Sequence, residues 1–297
     1  MKILILGASG MLGSTLHRIF SNDAKFEVWG SFRGMREPSF IESLSGINTL
    51  SSCDFLQQGK LASVMNKVNP QVVINCVGLI KQNPDSYDAL QSAMINGLLP
   101  HQLAEICERM NVRLIHISTD CVFSGKKGMY TELDKPDATD IYGTTKRRGE
   151  VIDSRIALTL RTSMIGHELA NHKSLLDWFL AQEGTVPGFS KAVFSGLTTV
   201  ELARVIKKII LFYPSLSGLY HLSGKPIDKY SLLNLIAKIY KKNITIVEDK
   251  NIVIDRSLYS KKLKTLIDYQ PPSWEKMLTE LYAFNNNTSR AKAYVCK

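Results

Sequence analysis

Lys2-Ile3-Leu4-Ile5-Leu6-Gly7-Ala8-Ser9-Gly10-Met11-Leu12-Gly13 is the stretch that decides the fold. The apolar run ending at Gly7 has the length and character of a strand buried in a parallel sheet. Met11, Leu12, Leu16, Ile19 and Phe20 then recur at helical spacing. Strand, glycine turn and helix, in that order, is the context in which spaced glycines hold a dinucleotide. Glycine permits the strained turn, admits a pyrophosphate to the backbone and lets helix pack close on strand. The N–H groups at the helix N-terminus complete the anion site. Gly7, Ser9, Gly10, Met11, Leu12 and Gly13 are therefore expected to hold the pyrophosphate. The repeated alternation of strand and helix further along, with strands read over Arg155–Leu160 and Ile244–Val247 and a long helix through Ala93–Cys107, predicts an α/β chain with a doubly wound parallel sheet.

Phe26-Glu27-Val28-Trp29-Gly30 reads as the next strand. An acid near its end would hold the ribose hydroxyls of NAD. The chain has Ser31-Phe32-Arg33-Gly34-Met35-Arg36 instead, with no acid. Arg33 or Arg36 could fork onto a 2′-phosphate, so NADPH is expected over NADH, with Ser31 and Arg33 at the adenosine ribose.

Ile115-His116-Ile117-Ser118-Thr119 is a further apolar strand, and it ends in small hydroxyl residues where an open parallel sheet places its ligands. Thr119 is placed to hydrogen-bond a substrate carbonyl. Tyr142 and Lys146 follow, four apart, and on a helix they project from one face. An ammonium beside a phenol stabilises the ionised form and is expected to lower the phenol's pKa towards the working pH. Tyr142 is thus the expected general acid for a carbonyl oxygen.

Several longer runs carry a family resemblance. Ser118-Thr119-Asp120-Cys121-Val122-Phe123-Ser124-Gly125 resembles STDYVFDG, and Tyr130-Thr131-Glu132 with Asp134-Lys135-Pro136 resembles YxExDxPxP. Tyr142-Gly143-Thr144-Thr145-Lys146 with Gly149-Glu150 resembles YGxSKxxGE. Leu160-Arg161-Thr162-Ser163 resembles LRTS, and Gly218-Leu219-Tyr220-His221-Leu222-Ser223-Gly224 resembles GxYHxSG. These are motifs of the dTDP-4-dehydrorhamnose reductase family of extended short-chain dehydrogenases/reductases, and the GxxGxxG spacing is that of the wider group. The resemblance runs from Met1 to about residue 281.

It implies a Rossmann-type NADP-binding domain over residues 1–163 and a smaller C-terminal α/β substrate-binding lobe over 164–297, with some segments packing back on the first. It implies NADPH-dependent reduction of the 4-keto group of a nucleotide-linked 4-keto-6-deoxyhexose, in deoxysugar and cell-surface polysaccharide biosynthesis. Asp54 and Phe55 would lie by the adenine, and Asn75, Cys76, Val77 and Gly78 beneath the nicotinamide ribose. Asn96, Arg161 and Thr162 join the cofactor set with Tyr142 and Lys146. The substrate set is Thr119, Asp120, Cys121, Val122, Phe123, Tyr142, Ser163 and Arg256. The nucleotide (dTDP, UDP or GDP) and a homodimeric state stay open.

The chain departs from the pattern in two places. Cys121 stands where the family has tyrosine, and the RPxxS element is reduced to Arg256-Ser257. Related 4,6-dehydratases carry a proton-abstracting glutamate at the position of Cys121, which argues against dehydration. Two alternatives follow from relatives. One is a bifunctional epimerase-reductase using Cys121 with His172 or His167; the other is a non-catalytic NADP-binding regulatory subunit. Retention of Thr119, Tyr142 and Lys146 argues against the second.

Composition agrees with this reading. A chain of 297 residues with 44% hydrophobic content can bury a sizeable core. No apolar run is long enough for a bilayer and no charged-then-apolar leader opens the chain, so no membrane partner is expected. Five cysteines without a CxxC spacing predict reduced thiols and a cytoplasmic location, with Cys53, Cys76, Cys107 and Cys296 buried or incidental. The net charge of +10 suits capture of anionic nucleotides, while the scattered lysines and the lack of a recognised module argue against nucleic acid. His167-Glu168 with His172 has the wrong spacing for a zinc-binding HExxH, and no GxSxG elbow appears, so neither a metal nor a serine nucleophile is expected. His116 and His221 read as core histidines.

Overall fold

The computed structural model describes residues 1–34, 48–80, 88–169 and 173–286. Arg36, His172 and Cys296 lie outside the described residues. The first six strands are β1 (Lys2–Leu6), β2 (Glu27–Ser31), β3 (Asn48–Leu50), β4 (Val72–Asn75), β5 (Arg113–Thr119) and β6 (Ala157–Thr162). Then come β7 (Met164–Ile165), β8 (Thr185–Phe189), β9 (Ala192–Phe194) and β10 (Leu197–Thr198). The last four are β11 (Gly218–His221), β12 (Ile227–Asp228), β13 (Thr245–Asp249) and β14 (Ile254–Asp255).

Seven strands form one sheet in the order β11-β6-β5-β4-β1-β2-β3, with every neighbouring pair parallel. Side chains alternate across a strand, and here both faces are apolar. Ile3 and Ile5 join one core with Ile115, Ile117, Leu158 and Leu160. Leu4 and Leu6 join the other with Val73, Leu114 and Ala157. The helices Met11–Ser21 and Thr199–Phe212 cover the first face, and Lys60–Val68 and Leu99–Met110 the second. Chain order reverses between β1 and β4, so a crevice opens there at the carboxyl ends of the strands.

Segments beyond residue 163 do return to this layer, since β11 is its seventh strand and the helix Thr199–Phe212 packs on Met11–Ser21. The rest of the C-terminal part builds a small sheet β12-β9-β14 and a β8–β13 pair. Two strands are shifted from their sequence-based bounds. The strand expected over 155–160 runs Ala157–Thr162, and that expected over 244–247 runs Thr245–Asp249. The long helix expected around Ala93–Cys107 is interrupted. Ala89–Ser92 is followed by a π-helical segment, Ala93–Leu98, before Leu99–Met110 begins with Pro100 in its first turn. Apolar spacing does not distinguish i+4 from i+5 hydrogen bonding, and such wide turns cluster at functional sites.

Candidate active site

A cavity of about 790 Å³ lies along the carboxyl ends of β1, β2, β4, β5 and β6 and is closed by the C-terminal lobe. Its first half begins at the glycine turn. Gly7 has φ +79°, and a Cβ there would press on the Cys76 and Val77 backbone at 3.1–3.2 Å. A Cβ at Gly13 would strike the Gly7 carbonyl, so helix meets strand only because both are glycine. Gly10 caps the helix Met11–Ser21 with no side-chain cap, leaving its first N–H groups to face the cavity with Ser9 and Leu12. The Ser31 Oγ lines the same space, is fully buried and has no hydrogen-bond partner among the described residues. Arg33, Asp54 and Phe55 line it further out. An orphaned hydroxyl beside an arginine, past a bare helix N-terminus, fits a dinucleotide with a phosphorylated adenosine ribose.

The second half holds Thr119, Asp120, Cys121, Tyr142, Lys146, Thr162, Ser163 and Arg256. Asp140 caps the helix Ile141–Arg148 by accepting from the Gly143 N–H at 2.9 Å, which fixes the turn carrying Tyr142. Tyr142 and Thr119 are hydrogen-bonded to each other, and Thr119 Oγ1 also donates to Asp120 Oδ1 at 3.2 Å. Burial first, then the nearby Cys121, pushes the phenol's pKa up. The expectation that Lys146 lowers it does not hold in this structure. Lys146 is 5% exposed and its Nζ donates to the Ile117 carbonyl at 2.8 Å. Its own pKa is pushed down by burial to about 8, against the pull of Glu150 and Cys76. The ammonium is spent on a backbone carbonyl of the neighbouring strand, and burial then dominates both groups.

Five residues expected in the cofactor or substrate sets do not line the cavity. Asn75 accepts from the Val77 N–H at 3.0 Å, and its Nδ2 lies 3.2 Å from His116 Nδ1, so it shapes the loop from beneath. Asn96, in the π-helical segment, brackets Leu79: its Oδ1 accepts from the Leu79 N–H at 2.9 Å and its Nδ2 donates to the Leu79 carbonyl at 3.0 Å. Both hold Cys76, Val77 and Gly78 where these do line the cavity. Val122 and Phe123 are buried in a separate small core with Tyr130 and Leu258.

Arg161 is the fifth. Its Nε and Nη2 both donate to the Glu150 carboxylate at 2.7 Å, and Ser118 Oγ donates to the same carboxylate at 2.7 Å. Its Nη1 lies 3.3 Å from His221 Nε2. Because a guanidinium only donates, His221 accepts there and donates from Nδ1 to the Tyr130 carbonyl at 3.0 Å. His221 is thereby satisfied as expected. His116 is not, since its Nε2 has no partner among the described residues.

Of the two histidines considered as partners for Cys121, His167 does not line the cavity. His167 has Asp177 Oδ1 at 2.7 Å on one ring nitrogen and the Tyr240 hydroxyl at 2.9 Å on the other, so neither faces a ligand. His172 lies outside the described residues. Among the described residues no group of three or more His, Cys, Asp or Glu could hold a metal ion, and no helix is long and apolar enough to cross a membrane.

The family described as "RmlD substrate binding domain" matches residues 1–286. The chain belongs to it. A dTDP-4-dehydrorhamnose reductase from Aggregatibacter actinomycetemcomitans is 25% identical, over 95% of this chain and 99% of that protein. The methionine adenosyltransferase 2 subunit beta of Rattus norvegicus is 26% identical, over 80% of this chain and 72% of its own. Among solved structures, a Bacillus anthracis dTDP-4-dehydrorhamnose reductase in complex with NADP superposes with a TM-score of 0.77, at 20% identity, over 95% and 99% of the two chains.

Sequence reading missed the far wall of the cavity, which includes Phe189, Phe194, Lys229, Ile252 and Ile254. No local spacing marks these residues, because it is the pairing of β9 with β12 and β14, and of β8 with β13, that assembles them. The depressed Lys146 pKa makes a prediction. The folded protein without ligand releases this proton near pH 8, so a step needing the ammonium is intact below pH 8 and lost as pH rises through it. A kcat/KM profile should fall on its alkaline side with a midpoint near pH 8. Glu150→Gln should move the midpoint lower, since Glu150 is what raises the Lys146 value.

Proposed function

We propose that the protein is an NADPH-dependent oxidoreductase that reduces the 4-keto group of a nucleotide-linked 4-keto-6-deoxyhexose. The observation that carries this is the convergence of Thr119, Tyr142 and buried Lys146 in the cavity that the glycine turn opens. Tyr142 stays protonated at neutral pH because burial and neighbouring negative charge oppose its ionisation, so it arrives at the carbonyl as an acid. Its proton passes to the carbonyl oxygen as the oxygen gains charge. Thr119 donates a second hydrogen bond to that oxygen once a carbonyl replaces its present contact with Asp120. Lys146 sits below, its ammonium close to Gly78, and would hold a ribose hydroxyl as it now holds the Ile117 carbonyl. Bound NADPH supplies the hydride. The glycine turn, Ser31 and Arg33 would hold its phosphates, and Val77 and Gly78 its nicotinamide ribose.

The test is NADPH oxidation with dTDP-, UDP- and GDP-linked 4-keto-6-deoxyhexoses. Turnover with one of them supports the reading. Binding without turnover across the panel would favour the second reading, a regulatory subunit, which the similarity to a methionine adenosyltransferase subunit keeps in view. Cofactor choice is tested by Arg33→Ala. NADPH affinity is expected to fall about 10-fold or more and NADH affinity to change little, as for a charge-assisted contact to a phosphate that only NADPH carries. Equal losses would make Arg33 structural.

A further inference from the structure

The proposed chemistry leaves Lys229, a cation lining the cavity, without a task. Val193 in β9 pairs with Asp228 of β12 on one side and with Asp255 of β14 on the other. Lys229 and Arg256 each stand one residue beyond these partners, and both enter the cavity from this small sheet. Arg256 is anchored, donating from Nε to the Phe123 carbonyl at 2.9 Å. Lys229 is not. Its side chain is half-buried, and its ammonium feels Asp120, Cys121 and Arg256 through space without a hydrogen bond to any of them.

An ammonium carries three donors and accepts nothing. No described residue accepts a hydrogen bond from this ammonium, and partial burial disfavours its charged form. Asp228 does not relieve this, because its carboxylate caps the helix Lys229–Tyr240 by accepting from Ser231. A ligand entering the cavity is placed to supply an acceptor. Asp120 and Cys121 directly follow Thr119, so charges that Lys229 feels lie beside the proposed carbonyl site at the end of β5, away from the β2–β3 side that carries Arg33 and Asp54.

Resting on the proposed reduction of a nucleotide-linked keto sugar, we propose that Lys229 is its sugar-selecting residue. The ammonium donates to an oxygen acceptor borne by the sugar ring next to the carbonyl, and the diphosphate is held elsewhere. Lys229 moves no proton in the reaction; it fixes which ring reaches Tyr142 and Thr119.

Lys229→Met, which keeps the apolar stem, Lys229→Gln, which keeps a neutral donor, and Lys229→Arg are compared with wild type. Affinities are measured in the presence of NADP for free nucleoside diphosphate and for 4-hydroxy nucleotide sugars that differ at the neighbouring ring carbon. The panel covers hydroxyl, acylamido and carboxylate substituents. Lys229→Met is expected to weaken one class of nucleotide sugar about 10- to 100-fold, the range for a hydrogen bond to a charged group, and to leave nucleoside diphosphate within about twofold. Lys229→Gln should fall between Met and wild type, Lys229→Arg should recover part of the loss, and the substituent with the largest loss identifies the acceptor. With the matching keto sugar, KM should rise while kcat stays within about threefold. Equal losses for diphosphate and sugar nucleotide, or no loss for any sugar, overturn the proposal. Failure of the reductase reading registers separately, as wild-type binding without NADPH oxidation.

Discussion

Tyr142→Phe is expected to lower kcat by about 1,000-fold, within the range that positioned proton transfer supplies, while dinucleotide affinity stays within about twofold. In the proposed reaction the phenol acts only when the carbonyl oxygen gains charge, so its loss belongs in the chemical step. The ring stays, and the helix Ile141–Arg148 is capped by Asp140 rather than by Tyr142, so the turn survives the substitution. Pre-steady-state NADPH oxidation separates chemistry from product release. A variant that keeps more than about a tenth of wild-type turnover would move the acid role to Thr119 or water. Lys146→Ala should behave differently and impair affinity as well as rate, because in the proposed reaction Lys146 holds the ribose of the cofactor that delivers the hydride.

How much of this was legible in the chain differs between residues for physical reasons. The glycine turn is a local device: its strained dihedral and close helix–strand approach are met within Gly7–Gly13, so spacing alone exposes it. Tyr142 and Lys146 are likewise local, one helical turn apart. What the ammonium contacts is not local, since the Ile117 carbonyl belongs to another strand, and the expected effect on the phenol failed for that reason. Asn96, expected in the cofactor set, brackets Leu79 behind the cavity lining, and the π-helical segment that aims it there has no signature in apolar spacing. Lys229 was invisible. Register between distant strands, a property of the assembled lobe, is what delivers it to the cavity.

Arg161, expected in the cofactor set, pairs with Glu150 outside the cavity lining, and the parity of β6 accounts for it. Leu158 and Leu160 point into the core beneath the helices Met11–Ser21 and Thr199–Phe212, so Thr159 and Arg161 must point the other way. That face carries Val151, whose carbonyl accepts from Thr159 Oγ1 at 2.7 Å, and next to it Glu150. The motif residues Glu150 and Arg161 are thus partners in a buried fork, 5% and 4% exposed at their side chains. Desolvation opposes such a pair, so its net gain is small, but breaking it strands a charge. Glu150→Ala is therefore expected to destabilise the fold by about 3–5 kcal/mol, the range for an orphaned buried charge. For a chain this size that corresponds to a melting temperature lower by roughly 10 °C. Arg161→Met should be milder, because Ser118 still donates to the remaining carboxylate. The double variant Glu150→Leu with Arg161→Met should recover most of the loss, since neither charge is then left alone. Thermal melts of the four proteins decide it. If the double variant melts as low as Glu150→Ala, the network is needed for its hydrogen bonds to Ser118 and His221, and the strand ends carrying Thr119 and Thr162 depend on polar registration rather than on charge balance.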